Sequence, residues 1–60
     1  MKIIDYEILS EKTIAILASH VRGDIKDGWQ PYGDIVVVID EVQRFIYFYQ
    51  AMVKYEKGNA

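Results

Sequence analysis

Sixty residues without a cysteine and with one histidine, His20, exclude a disulfide framework and nearly exclude a zinc site. One domain of this size buries only about 60% of the surface its unfolded chain exposes, so it is marginal alone. The chain is 52% hydrophobic and 13% aromatic with a net charge of −2, which points to a partner chain as the missing source of stability and argues against a general nucleic-acid binder.

Lys2 to Leu9 reads as a strand, with Ile4, Tyr6 and Ile8 on one face by the period of two. Asp5 and Glu7 interrupt the apolar start, so no signal peptide is expected. Ser10 is a candidate helix N-cap. Ile14, Leu17, Ala18, Val21 and Ile25 then form one amphipathic stripe, which predicts a helix from Glu11 to Lys26. Gly28 stands where a left-handed helix stop belongs. Pro31 prevents further helix, so Trp29 to Gly33 reads as a connection.

The β-branched run ending at Ile39 predicts a second strand, Asp34 to Ile39. Asp40 to Arg44 reads as a hairpin loop, Phe45 to Tyr55 as a long third strand, and Glu56 to Ala60 as a frayed tail. No apolar run approaches the roughly 20 residues that span a bilayer, and a cytoplasmic protein is expected.

The expected fold is therefore α+β in two layers, β-α-β-β, with one helix on a three-stranded mixed sheet. Strand order 1-3-2 puts the longest, most aromatic strand in the centre; order 1-2-3 is the alternative. One helix covers one face. Tyr47, Tyr49, Ala51 and Val53 are expected beneath it, because the opposite set contains Gln50 and Lys54. Ile46, Phe48 and Met52, with Val36 and Val38, would then form an open apolar face that a second chain covers.

The segments Asp27-Gly28-Trp29-Gln30-Pro31-Tyr32-Gly33 and Phe48-Tyr49-Gln50-Ala51-Met52-Val53-Lys54-Tyr55, with the opening Met1-Lys2-Ile3-Ile4-Asp5-Tyr6, resemble a short bacterial and phage domain of unknown function. The resemblance covers nearly the whole chain. It implies the strand–helix–strand–strand order and no activity.

The residues themselves offer no catalytic constellation. His20 has no cysteine partner, and Ser19 points elsewhere on the helix. Asp5 and Glu7 share a strand face without a cleft beside them. Gly28 and Gly33 bracket aromatic residues, but no Gly-Lys-Ser/Thr follows, so no Walker loop is present. No enzyme, cofactor or metal is expected.

The leading expectation is a homo-oligomeric protein-interaction module using Ile46, Phe48 and Met52, or a second helical stripe of Ile16, His20 and Gly23. The alternative is a small-ligand binder with sites between subunits. There Trp29 or Tyr32 would stack on a nucleotide, and Arg22, Arg44 or Lys54 would supply charge.

Overall fold

The computed structural model describes residues 2–57; of the expected tail, residues 58–60 lie outside the described ones. The elements are β1 (Ile3–Glu11), α1 (Ile14–Lys26), β2 (Gln30–Asp40) and β3 (Phe45–Tyr55). β3 is the central strand, in the order β1-β3-β2, and is antiparallel to both neighbours. β1 and β2 run in the same direction but never pair. The sheet is thus antiparallel throughout, where the sequence reading left it mixed.

The helix begins later than its apolar stripe suggests. β1 continues through Ser10 and Glu11, which pair with Tyr49 and Phe48, so Ser10 is a strand residue and not the cap. Thr13 takes that role. Its backbone is extended, and its hydroxyl accepts from the Ile16 N–H at 3.3 Å.

The helix ends as expected, in a left-handed Gly28 with φ +95°. The Gly28 N–H donates to the Ile25 carbonyl at 3.1 Å, and the Trp29 N–H to the Asp24 carbonyl at 3.0 Å. Those two bonds complete a Schellman stop, which satisfies carbonyls the helix leaves unpaired.

β2 starts at Gln30, so most of the expected connection is strand. Pro31 is tolerated because β2 lies at the sheet edge, where a missing N–H need not interrupt a ladder. Register shifts between Tyr32 and Val36. These pair with Ala51 and Tyr49, so Gly33, Asp34 and Ile35 face Gln50 alone. Gly33 has φ +78°, a conformation that costs glycine little. The Gln50 amide is buried, and its Nε2 donates toward the carbonyls of Tyr32 (3.4 Å), Gly33 (3.3 Å) and Ala51 (2.9 Å). Gln50 therefore staples the bulge: one buried amide reaches two carbonyls of the bulged strand, and its own donors are satisfied there.

The helix lies on the face opposite to the one expected. Glu7 and Glu11 pair with Met52 and Phe48 in the register, so these four share a face. Glu11 reaches His20 of the helix at 2.8 Å, and the Glu7 carboxyl meets Asp24 of the helix. Phe48, Gln50 and Met52 therefore lie on the helix side, and Leu17 and Met52 are wholly buried.

Gln50 and Lys54, though polar, lie on the covered side, Gln50 buried and Lys54 half-buried. Gln50 finds carbonyls within the sheet, and the Lys54 ammonium sits 4.9 Å from the Trp29 ring centre. Tyrosine, with an apolar ring and a wet hydroxyl, suits the open side. Tyr47, Tyr49, Ala51 and Val53 belong to that open face. Val53 is nonetheless fully buried, flanked by its cross-strand partners Tyr6 and Gln30.

Candidate interaction surface

A helix of 13 residues is about 20 Å long, whereas an 11-residue strand spans about 36 Å. The helix consequently covers only part of the sheet. It packs on β1 and β3 more than on β2. β1 also stops at Glu11, opposite Phe48, so Val38–Asp40 and Phe45–Tyr47 continue as a two-stranded arm with neither helix nor third strand beside it. The molecule is correspondingly long, 49 × 19 × 14 Å. Its radius of gyration is 13.5 Å, against about 10 Å for a compact chain of this length.

Local chemistry explains the shape of the arm. Ile35 to Ile39 is β-branched at every position, which stiffens χ1 and favours an extended chain. At its end Asp40 organises the turn: its Oδ1 accepts from the N–H groups of Val42 (3.0 Å) and Gln43 (3.1 Å). Arg44 closes the turn with φ 58°. Phe45, Tyr47 and Tyr49 run along one face with ring centres 6.2 and 6.3 Å apart, and Lys12 sits 4.1 Å from the Phe45 ring centre.

What distinguishes this arm is apolar surface left in water. Every residue from Ile35 to Ile39 is exposed, Ile39 at 66%, and Val42 at the tip is 93% exposed. Phe45 and Ile46 are exposed on the facing strand. The open side of the sheet continues this surface through Tyr32, Tyr6 and Ile8. In total 4845 Å² is accessible. A folded monomer of 7.0 kDa should expose about 4,000 Å². The surplus of about 800 Å² matches what each partner contributes to a standard protein interface.

The residues singled out from the sequence are distributed over this frame. Ile46 is exposed on the arm, on the same face as the helix but beyond its reach. Phe48 is half-buried and Met52 wholly buried on the helix side, so neither belongs to an open face; Met52 is core. Val36 and Val38 are exposed, opposite Tyr49 and Tyr47. Ile16, His20 and Gly23 are exposed on the helix, with His20 turned to Glu11 at the sheet margin. A Cβ on Gly23 would meet nothing within 4 Å, so close approach within this protomer is not what requires a glycine there.

The nucleotide-binding candidates are not gathered into one place. Trp29 and Lys54 are together near the helix C-terminus, beside a cleft of 630 Å³ lined by Ile4, Asp27, Gly28, Lys54, Tyr55, Glu56 and Lys57. Tyr32 faces the open side of the sheet, opposite Ala51. Arg44 is at the hairpin tip, about 30 Å along the strands from Tyr32 and Trp29. Arg22 is exposed on the helix.

A carboxyl pair, Glu7 with Asp24, was not read from the sequence, where Glu7 was grouped with Asp5. The hydrogen bond to Asp24, then burial, then the negative charge of Asp24 and Asp5 hold the Glu7 carboxyl above its ordinary pKa, with Lys54 opposing. Asp24 Oδ2 is buried without a hydrogen-bond partner. The signal in the sequence was the placement of Asp24 on the sheet-facing side of the helix, one turn after His20. Among the described residues no three His, Asp or Glu side chains converge as a metal-binding group, and no helix is long and apolar enough to cross a membrane.

In a comparison with known families, a family model described as Domain of unknown function (DUF1737) matches residues 3–55. No curated protein and no solved structure matches the chain. Residues 3–55 take in all four secondary-structure elements, and the chain belongs to the DUF1737 family.

Proposed function

We propose that this DUF1737 domain is a non-catalytic interaction module that works as a homo-oligomer in the cytoplasm. The observation that carries the proposal is the exposed apolar run Ile35–Ile39, which leads into the bare arm with Phe45 and Ile46, in a chain whose surface exceeds that of a compact monomer by about one partner's share of a standard interface. A two-stranded ribbon is at best marginal alone, and an apolar patch beyond a few hundred Å² is rare on a monomer. A partner relieves both problems at once. Light scattering after size exclusion tests this reading, and a mass of two or more chains at micromolar concentration is expected. A folded species with the mass of one chain across the concentration range would overturn it.

Small-ligand binding is the second reading, favoured by the cleft beside the Trp29–Lys54 pair. An aromatic ring and an ammonium together suit a planar anion such as a nucleotide. A thermal-shift panel of nucleotides decides it, since a ligand that binds only the folded state raises the unfolding midpoint. No shift with any nucleotide, or a shift that survives Trp29→Ala, removes this reading.

A further inference from the structure

We infer that the free edge of β2 pairs antiparallel with β2 of a second copy, so that two three-stranded sheets join into one sheet of six strands, β1-β3-β2-β2-β3-β1. The inference rests on the self-association proposed above and names the surface that performs it.

The two edges of the sheet are unlike. β1 is interrupted by a bulge between Ile3 and Asp5, carries acidic side chains at Asp5, Glu7 and Glu11, and has the helix packed against it. Bulges, charges and covering elements are the devices by which sheets prevent edge-to-edge association. β2 has such devices in its first half, where Pro31, the Gly33 bulge and Asp34 lie, and at its end, Asp40, but not between Ile35 and Ile39. From Val36 to Asp40 its register with β3 is unbroken, and Ile35 to Ile39 contains no charge, proline or glycine. An antiparallel edge strand directs about every second pair of backbone N–H and C=O groups away from its neighbour. Along this segment those groups have no partner strand among the described residues.

The occupant follows from symmetry and space. A β2 segment is self-complementary in an antiparallel pairing about a two-fold axis, which is the commonest form of homo-oligomer. Because α1 packs mainly on β1 and β3, the two helices would lie apart from the new seam and leave room for the strands to approach to about 4.8 Å. Val36 and Val38 on one face, with Val37 and Ile39 on the other, would meet their counterparts across the seam. β-branched cross-strand pairs of this kind stabilise sheets. Each bare arm thereby becomes part of a four-stranded region, which removes the weakness of an isolated two-stranded ribbon.

Amide hydrogen exchange on the full chain, resolved by residue and followed over a dilution series, tests the pairing. In the assembled state all amides from Ile35 to Ile39 should be protected. On dilution the outward-facing, alternate ones should become fast as the mass falls. A companion pair of variants, Val36→Pro and Val37→Pro, separates the two edges of the strand. One replaces an N–H that points to β3 and should disturb the protomer. The other replaces an outward N–H and should give a folded single chain. A mass of two or more chains with the alternate amides still fast, or a folded outward-proline variant that still associates, overturns the edge pairing and leaves self-association standing. A single-chain mass for the unmodified protein at every concentration overturns both.

Discussion

The two ends of the sheet are made from similar residues but have opposite fates. At the helix end, Leu17 and Met52 are wholly buried, Gln50 is paired, and the helix is closed by Thr13 and Gly28. At the hairpin end, Ile35–Ile39, Phe45 and Ile46 are just as apolar and remain in water. The difference is geometric. A 13-residue helix is too short for 11-residue strands, and β1 stops where the arm begins. Hydrophobicity alone therefore does not define this core; the length of the covering element does. An apolar segment left outside that cover is available for association.

Equivalent truncations should separate the ends most sharply. Leu17→Ala and Met52→Ala remove fully buried side chains and should each cost about 2–5 kcal/mol of protomer stability. Ile39→Ala or Ile46→Ala on the arm should leave the protomer within about 1 kcal/mol of the parent when it is dilute. The arm variants should instead lower the mass measured at fixed concentration. Denaturant unfolding below and above the association range reads both effects. Equal losses from the two ends would mean that the arm is core in its own right.

The bulge is where the two ends join, and it should show the next largest effect. Gln50→Leu keeps the bulk of the side chain but removes the donor shared by the Tyr32 and Gly33 carbonyls. Loss of a buried partner costs about 1–3 kcal/mol. The weakened junction should also speed hydrogen exchange in the arm before it affects the helix. An unchanged unfolding midpoint would mean that water replaces the amide without loss.

These contrasts also show what was legible in the sequence. Element order, the central position of β3 and the left-handed stop at Gly28 follow from periodicity, turn chemistry and strand length, and the structure has all three. The face covered by the helix did not follow. Polarity counted along β3 treats Gln50 as outward, but its donors are used by carbonyls 17 and 18 residues away in the chain. That compensation is long-range and is invisible to a period of two. For the same reason the Glu7–Asp24 pair went unread, since it joins a strand to a helix. Ser10 and Thr13 are both acceptable caps by type; only the continuation of β1 to Glu11 decides between them. Of the candidate interface, Ile46, Val36 and Val38 were legible as apolar strand residues, whereas Met52 is identical in character and lies in the core.

Smaller effects are expected on the outer helix. Gly23 is exposed and has space for a Cβ, so Gly23→Ala should stabilise the protomer by about 1 kcal/mol. Coupled with Ile16→Lys, it asks whether that face also binds a chain. If the arm alone mediates association, the double variant is more stable and its mass unchanged. A loss of mass would transfer the interface, at least in part, to Ile16, His20 and Gly23.

The smallest effect concerns the carboxyl pair under the helix end. Glu7 has a higher pKa in the folded chain than in the unfolded one, chiefly because its protonated form hydrogen-bonds Asp24. The folded state thus holds that proton more tightly. The stabilisation is fully present below the ordinary carboxyl range of the unfolded chain and is lost as pH rises through the raised folded value. Near neutrality two carboxylates then face each other, with Lys54 as the opposing charge. Glu7→Gln supplies a permanent N–H donor to Asp24, whose Oδ2 otherwise has no partner. The variant should be more stable than the parent at neutral pH, and the advantage should shrink as pH falls. Unfolding midpoints of the two proteins across the acid range measure the difference. Parallel curves would mean that Glu7 and Asp24 do not share a proton, and the helix end would then owe nothing to this pair. The arm contains no comparable group between Ile35 and Ile39, so association measured through it should show no matching change between Glu7→Gln and the parent.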